Sequence, residues 1–263
     1  MGAGARRAGG AALVKVLRLA LSHDLRSDIP EAERQYVIAQ RVLEEATGEP
    51  WETILRPIWP GEKLPGLVDR WVEEERPDLV MVNLAAYWVS FASVALRIER
   101  RVPGAGRWLG QKVRSAADTR MAGNSWLTEV VRGVATRIGG VDYYFEPAAM
   151  VGLFETVVRQ LLRREQLVVV VRGPALIPQQ SSRRILGERS RRFWAWHDGM
   201  REVCERLHVA YLEYDAEMEA PGTGVRRAGD TAHYTLEGTR LHGQREGALM
   251  VRAWAAVHPP VRG

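Results

Sequence analysis

Two short clusters carry the residue types that acyl-transfer chemistry needs: Ser22-His23-Asp24 near the start of the chain and Asp230-Thr231-Ala232-His233 near its end. A serine hydroxyl becomes a nucleophile when a neighbouring base takes its proton. An imidazole base in turn needs a carboxylate to hold its tautomer and stabilise the cation that forms. Ser22 offers the hydroxyl, His23 and His233 imidazoles, and Asp24 and Asp230 carboxylates. Plainer readings stand beside these: Ser22 as a helix cap, Asp230 as an Asx-turn residue after Gly229, and His233 as a surface histidine opening the last helix. His23, Asp24 and His233 are also metal-ligand types, but no pair has the His-x₃-His spacing of a helical site, and no metal is expected. Cys204, the sole cysteine, sits in the helical pattern Arg201-Glu-Val-Cys-Glu-Arg206 and reads as a small buried hydrophobe. His197, His208, His242 and His258 read as helix-surface or terminal residues.

The elements that must position these groups alternate. Residues 13–21, LVKVLRLAL, form a β-branched and leucine-rich run that ends at Ser22. Helical spacing follows over 31–47 and again over 64–76, and Pro77-Asp78 opens a strand at 79–84. A helix from Glu146-Pro147 to about Arg164 leads into Leu167-Val-Val-Val-Val171, a continuous apolar run of the kind found in a parallel strand covered on both faces. A helix near 185–207, a strand at 209–214 and a closing helix from about Leu236 to Val257 complete the pattern. Strands alternating with helices predict a parallel sheet with helices on both sides, and in such sheets sites form beyond the carboxyl ends of the strands. Ser22, the segment 85–90 and Asp230 to His233 all stand at such ends.

The spacing is more specific than the residue types. Asp230 and His233 lie three apart, Gly238 follows the histidine by five, and a helix comes next. This resembles the fifth block of the SGNH/GDSL-like hydrolases. Pro77-Asp-Leu-Val80 resembles the approach to that family's third block, and Val16-Leu-Arg-Leu-Ala-Leu-Ser22 its first, with Ser22 in the nucleophile position. The resemblance covers roughly 13–85 and 147–256. It implies a three-layer α/β/α sandwich around a mainly parallel sheet of about five strands in the flavodoxin-like arrangement. It further implies a serine ester hydrolase or acyl transferase acting on a small-molecule ester or acylated substrate without a cofactor, with Ser22, His233 and Asp230 as the triad. The chain departs from the family at two places. Ala20-Leu21 replaces Gly-Asp before the serine, and Ala85-Ala86-Tyr87-Trp88 replaces the Gly-x-Asn-Asp that normally brings an oxyanion donor. Gly61, with Gly66 as competitor, stands for the second-block glycine, and Asn83 is a second oxyanion candidate. These departures favour a rival reading, a catalytically degenerate domain that binds a ligand or partner in the same cleft.

Composition narrows the classes. The 263 residues, 46% hydrophobic and 26% charged, suit a single globular domain spanning 1–263. The net charge is +5, but 34 of the 37 basic residues are arginines dispersed among Asp and Glu, which argues against a nucleic-acid partner. With one cysteine no internal disulfide can form. No apolar run approaches a membrane span, and Lys15 and Arg18 interrupt the first apolar segment, so a cytoplasmic location is expected. Residues 90–140 fall outside the family pattern and read as an inserted helical cap with helices near 107–120 and 124–138. Trp88 and Tyr87 are the candidates for a substrate-pocket wall. The aromatic residues Phe91, Trp108 and Trp126 would serve such a cap or a surface between two copies of the chain.

Overall fold

The computed structural model describes residues 13–22, 24–25, 28–101, 141–175, 183–218, 222–225 and 233–259. Strand β1 (Val14–Ala20) is buried along its length except at Lys15. It is an inner strand, flanked by β2 (Trp51–Pro57) and β3 (Leu79–Asn83), and β4 (Val168–Arg172) and β5 (Ala210–Leu212) complete the sheet. All neighbours run parallel and the order is β2-β1-β3-β4-β5, in keeping with the flavodoxin-like arrangement that the resemblance implies. β3 and β4 are buried at every residue, as parallel strands covered on both faces should be. β2 is a strand that the sequence reading passed over. It is an edge strand, most of its residues are only half-buried, and it ends in Pro57, whose missing N–H an edge tolerates.

Side-chain alternation sorts the core into two layers. Leu17, Leu19, Val80, Val82, Val169 and Val171 face α2 (Leu64–Glu75), α5 (Pro147–Leu161) and α6 (Arg183–Arg206). Val14, Val16, Leu79, Met81, Val168 and Val170 face α1 (Gln35–Thr47) and α7 (Leu236–Val257). α5 buries Met150, Phe154, Val157, Val158 and Leu161, the stripe that a 3.6-residue period places on one side. α1 stops at Gly48, whose φ of 70° and N–H bond to the Glu44 carbonyl form a left-handed cap. α7 is started by Thr235, whose hydroxyl oxygen accepts the Gly238 N–H at 3.0 Å.

The contact between α1 and α7 is unusually close. A Cβ at Gly243 would stand 2.8 Å from the Gln35 carbonyl oxygen, and one at Gly247 would stand 2.5 Å from Val42 Cβ. Glycines at these two positions let the helix backbones meet, and that approach sets the reach of α7 over the sheet.

Beyond β3 the chain forms two short helices, α3 (Tyr87–Ser90) and α4 (Val94–Arg101). The helices expected near 107–120 and 124–138, with Trp108 and Trp126, lie outside the described residues. The two ends of that segment are joined: Ser93 bridges to Asp142, Arg97 donates to Asp142 at 3.4 Å, and Arg100 donates to the Tyr143 carbonyl at 3.0 Å.

Two of the four histidines expected at helix surfaces or termini are instead core residues. His197 is 2% exposed and His242 is 4% exposed. On α6 and α7 the buried face itself carries polar residues, Arg189 and His197 on one and Thr239, His242 and Glu246 on the other, so a polar residue beside charged neighbours does not by itself mark a solvated face. Cys204 is buried, and desolvation by burial pushes its thiol up to about 12.

Three outcomes are expected from this packing. Gly247→Leu should lower the unfolding free energy by about 1–3 kcal/mol through overpacking against α1, whereas Gly152→Ala, in open space on the exposed side of α5, should raise it by about 0.5–1 kcal/mol. Urea unfolding midpoints test both. Cys204 should resist iodoacetamide at pH 8 in the native protein and react once urea unfolds it; mass spectrometry before and after denaturation decides.

Candidate active site

Ser22 is exposed and stands just beyond the carboxyl end of β1. The sheet order reverses between β1 and β3, and the crevice above such a switch point is where open α/β sheets bind ligands. A tight turn presents the serine there. The Asp24 N–H donates to the Leu21 carbonyl at 3.0 Å, and the Leu25 N–H donates to the Ser22 carbonyl at 3.3 Å. The Asp24 carboxylate closes the same turn from its other side, accepting the Leu21 N–H at 3.0 Å. Asp24 itself is fully buried, so it serves this turn rather than a surface ligand. His23 lies outside the described residues.

His233 is half-buried and directly precedes Tyr234, which is 1% exposed. The Tyr234 ring lies over His242 with centroids 4.1 Å apart. Thr235 then pins the segment, its N–H donating to the Val225 carbonyl at 2.9 Å and its hydroxyl to the Gly224 carbonyl at 2.6 Å. Asp230 lies outside the described residues.

Between the two segments, beneath the strand ends, is a buried polar cluster that sequence reasoning missed. Arg18 projects from β1 toward α7. Its Nη1 donates to Glu246 Oε2 at 2.6 Å and its Nη2 to Glu246 Oε1 at 3.3 Å. Its Nε faces Asp24 Oδ1 at 2.8 Å as an ion pair, without the alignment of a hydrogen bond. Glu246 Oε1 also accepts from Gln35 of α1 at 2.5 Å and from Arg172 Nη1 of β4 at 2.9 Å. Arg172 Nη2 donates to the Tyr234 hydroxyl at 3.0 Å and lies 3.3 Å from His242 Nδ1. Arg18, Asp24 and Glu246 are each at most 1% exposed.

Burial disfavours charge on Arg18, Asp24 and Glu246, and its balance against the neighbouring charges decides each outcome. For Glu246, burial would raise the carboxyl, but Arg18 and Arg172 outweigh it and hold the group below its ordinary value. For Arg18, burial works against the charge, and Asp24 and Glu246 overcome it. Asp24 goes the other way: burial pushes it up further than Arg18 pulls it down. Two guanidinium groups and two carboxylates thus meet in one interior cluster.

The remaining candidates fall around the strand ends. Gly61 is half-buried in the turn between β2 and α2, where its carbonyl accepts the Leu64 N–H at 2.9 Å. Gly66 is exposed in the first turn of α2. Asn83 is the last residue of β3, 4% exposed and in register with Arg172. Trp88 is 4% exposed and belongs to the core, while Tyr87 is half-buried. Beside them Trp59 is open to solvent, at 59% exposure, and lies edge-on to Trp88 at 5.8 Å and to Tyr144 at 5.6 Å. A separate polar groove lined by Arg76, Asp78, Arg164 and Gln166 opens at the amino-terminal ends of β3 and β4, away from Ser22. Among the described residues no helix is long and apolar enough to cross a membrane.

No family model matches the sequence, and no curated protein matches it in sequence. Solved structures do match in three dimensions. TesA superposes with a TM-score of 0.55 at 13% identity, covering 92% of this chain and 99% of that one. The psychrotrophic esterase EstA from Pseudoalteromonas sp., in a form inhibited by monoethylphosphonate, superposes with a TM-score of 0.54 at 11% identity, covering 92% and 98%. A lipase/acylhydrolase from Enterococcus faecalis gives a TM-score of 0.54 at 18% identity, covering 92% and 96%. With its five described strands parallel in the order β2-β1-β3-β4-β5 and helices on both faces, the chain shares the three-layer α/β/α fold of these solved structures.

Proposed function

We propose that this protein is a serine ester hydrolase or acyl transferase, with Ser22 as nucleophile, His233 as general base and then acid, and Asp230 as the group that orients His233. The observation that carries this reading is the exposed Ser22 on a tightly bonded turn at the switch point of an SGNH-like sheet. His233 supports it by its place at the amino-terminal approach to α7, with its neighbours Tyr234 and Thr235 anchored. The solved structures of the same fold include one described as an esterase and one as a lipase/acylhydrolase.

In this mechanism Ser22 Oγ attacks the acyl carbonyl carbon while His233 accepts the serine proton. The tetrahedral intermediate collapses, His233 returns that proton to the departing alkoxide, and the acyl group remains on Ser22. Water, or a second alcohol in the transferase variant, then repeats the steps in reverse and frees the serine. The backbone N–H groups of Ser22 and Gly61 are the proposed oxyanion donors, with Asn83 as the side-chain alternative. Segment 90–140 is the proposed cap over the acyl pocket, with Tyr87 and Trp88 in its wall. The joined ends of the segment, at Ser93 and Asp142 close to the end of β3, suit an insertion that can vary without disturbing the sheet.

A second reading, a degenerate SGNH-like domain that binds a ligand without turnover, is favoured by Ala20-Leu21 before the serine and by Ala85–Trp88 after β3.

A fluorophosphonate probe should label Ser22 and leave Ser22→Ala unlabelled; labelling absent from the wild type favours the binding module. With a p-nitrophenyl ester, Ser22→Ala and His233→Ala should each lose about 10³-fold or more in kcat, and the double variant should be little worse. Asp230→Asn should lose less than either single deletion of a reacting group. Replacing 102–140 by a short Gly/Ser linker should leave the circular dichroism of the sheet intact and change the relative kcat/KM for short and long acyl esters. Unfolding of that variant would place the segment in the core. Unchanged kinetics with a shift from dimer to monomer would assign it to a subunit interface.

A further inference from the structure

The interior cluster has a property that stability does not explain. Replacing buried ion pairs by well-packed apolar residues is often neutral or stabilising, so their presence in a core is weak evidence of a stabilising role. What apolar packing cannot supply is a chain of directional bonds of fixed length. Here that chain runs between the two segments proposed to react, which come from opposite ends of the sequence.

At one end, Asp24 accepts the Leu21 N–H at 3.0 Å and so closes the turn that carries Ser22. Arg18 Nε meets Asp24 at 2.8 Å, and Arg18 Nη1 meets Glu246 at 2.6 Å. Glu246 then meets Arg172 at 2.9 Å, and Arg172 donates to the Tyr234 hydroxyl at 3.0 Å. Tyr234 is the residue after His233. β3 lies between the strands that bear the two arginines, and the register puts Arg18 level with Met81 and Arg172 level with Asn83. Glu246 therefore spans the width of β3 from α7, and it can do so because Gly243 and Gly247 bring α7 down onto α1. Gln35 fixes the same carboxylate from α1.

We propose that Asp24, Arg18, Glu246, Arg172 and Tyr234 form a positioning device that sets the separation of Ser22 and His233. None of the five touches substrate in this proposal; they act through the Leu21–Asp24 turn and through the backbone joining Tyr234 to His233. The inference rests on the functional reading above and goes beyond it, because it assigns a role to charges that the triad does not use.

The test perturbs the two ends of the chain separately. Tyr234→Phe deletes one hydroxyl at the His233 end. Asp24→Asn removes the charge at the Ser22 end while keeping an acceptor for the Leu21 N–H. Each variant is assayed well below its melting temperature for kcat and KM on a p-nitrophenyl ester and for the rate and final extent of fluorophosphonate labelling at Ser22. The extent counts competent molecules, so a rate per labelled site is free of any unfolded fraction. Displacements of about an ångström are enough to cost on the order of ten- to a hundredfold in rate. Both variants are expected to lose about tenfold in kcat and in labelling rate, with full labelling extent and KM within about twofold. The double variant should fall by less than the product of the two losses, since both act on one separation. Wild-type labelling rates in both variants, or a loss confined to melting temperature and labelling extent, would overturn the inference while leaving the hydrolase reading in place. A wild type that the probe does not label overturns both.

Discussion

The carboxylate of Glu246 is where the architecture closes. It is wholly buried, and it receives donors from three elements at once: Arg18 on β1, Arg172 on β4 and Gln35 on α1. A lone carboxylate in such a place would be driven to its neutral form, because desolvation of an ion costs several kcal/mol. Two guanidinium groups reverse that preference here, and the carboxyl is held below its ordinary value. The arrangement requires α7 to lie close over the sheet and against α1. Bulk at Gly243 or Gly247 would push the helix away, and the ion cluster would then lose one wall. Packing of small residues and satisfaction of charge are thus one constraint seen from two sides.

Sheet order converts that constraint into a site. β1 is inserted between β2 and β3, so the chain leaves β1 toward one edge and returns across it, opening a crevice at the carboxyl ends. Ser22 stands at that crevice on a turn with backbone bonds on one side and a buried carboxylate on the other. Beyond the carboxyl ends of β2 and β3, Trp59, Tyr87, Trp88 and Tyr144 pack edge to edge or tilted against one another.

Local pattern determined a great deal of this molecule. The largely apolar runs before Ser22, after Pro77 and before Gly173 are inner strands because stretches of five to seven residues rich in Val and Leu satisfy both faces of a covered parallel sheet. The closing helix spans Leu236–Val257 as its pattern predicts, opened by the Thr235 cap. Alternation of these elements was enough for the fold class, and the Asp-x-x-His spacing with the following glycine was enough to propose a triad. The edge strand β2 escaped because half-buried edge residues need follow no strict alternation and Pro57 reads as a breaker.

The tertiary structure alone decided the polar interior. Arg18 reads in sequence as an interruption of an apolar run and His242 as a helix-surface residue, while Glu246 draws no attention within the closing helix. All three are buried together because strand order and the α1–α7 approach bring residues 228 apart in sequence within 2.6 Å. No spacing rule links such positions. Periodicity reports the face that a residue occupies within its own element, whereas the partner that makes a buried charge tolerable is supplied by another element and becomes visible only when the layers are assembled.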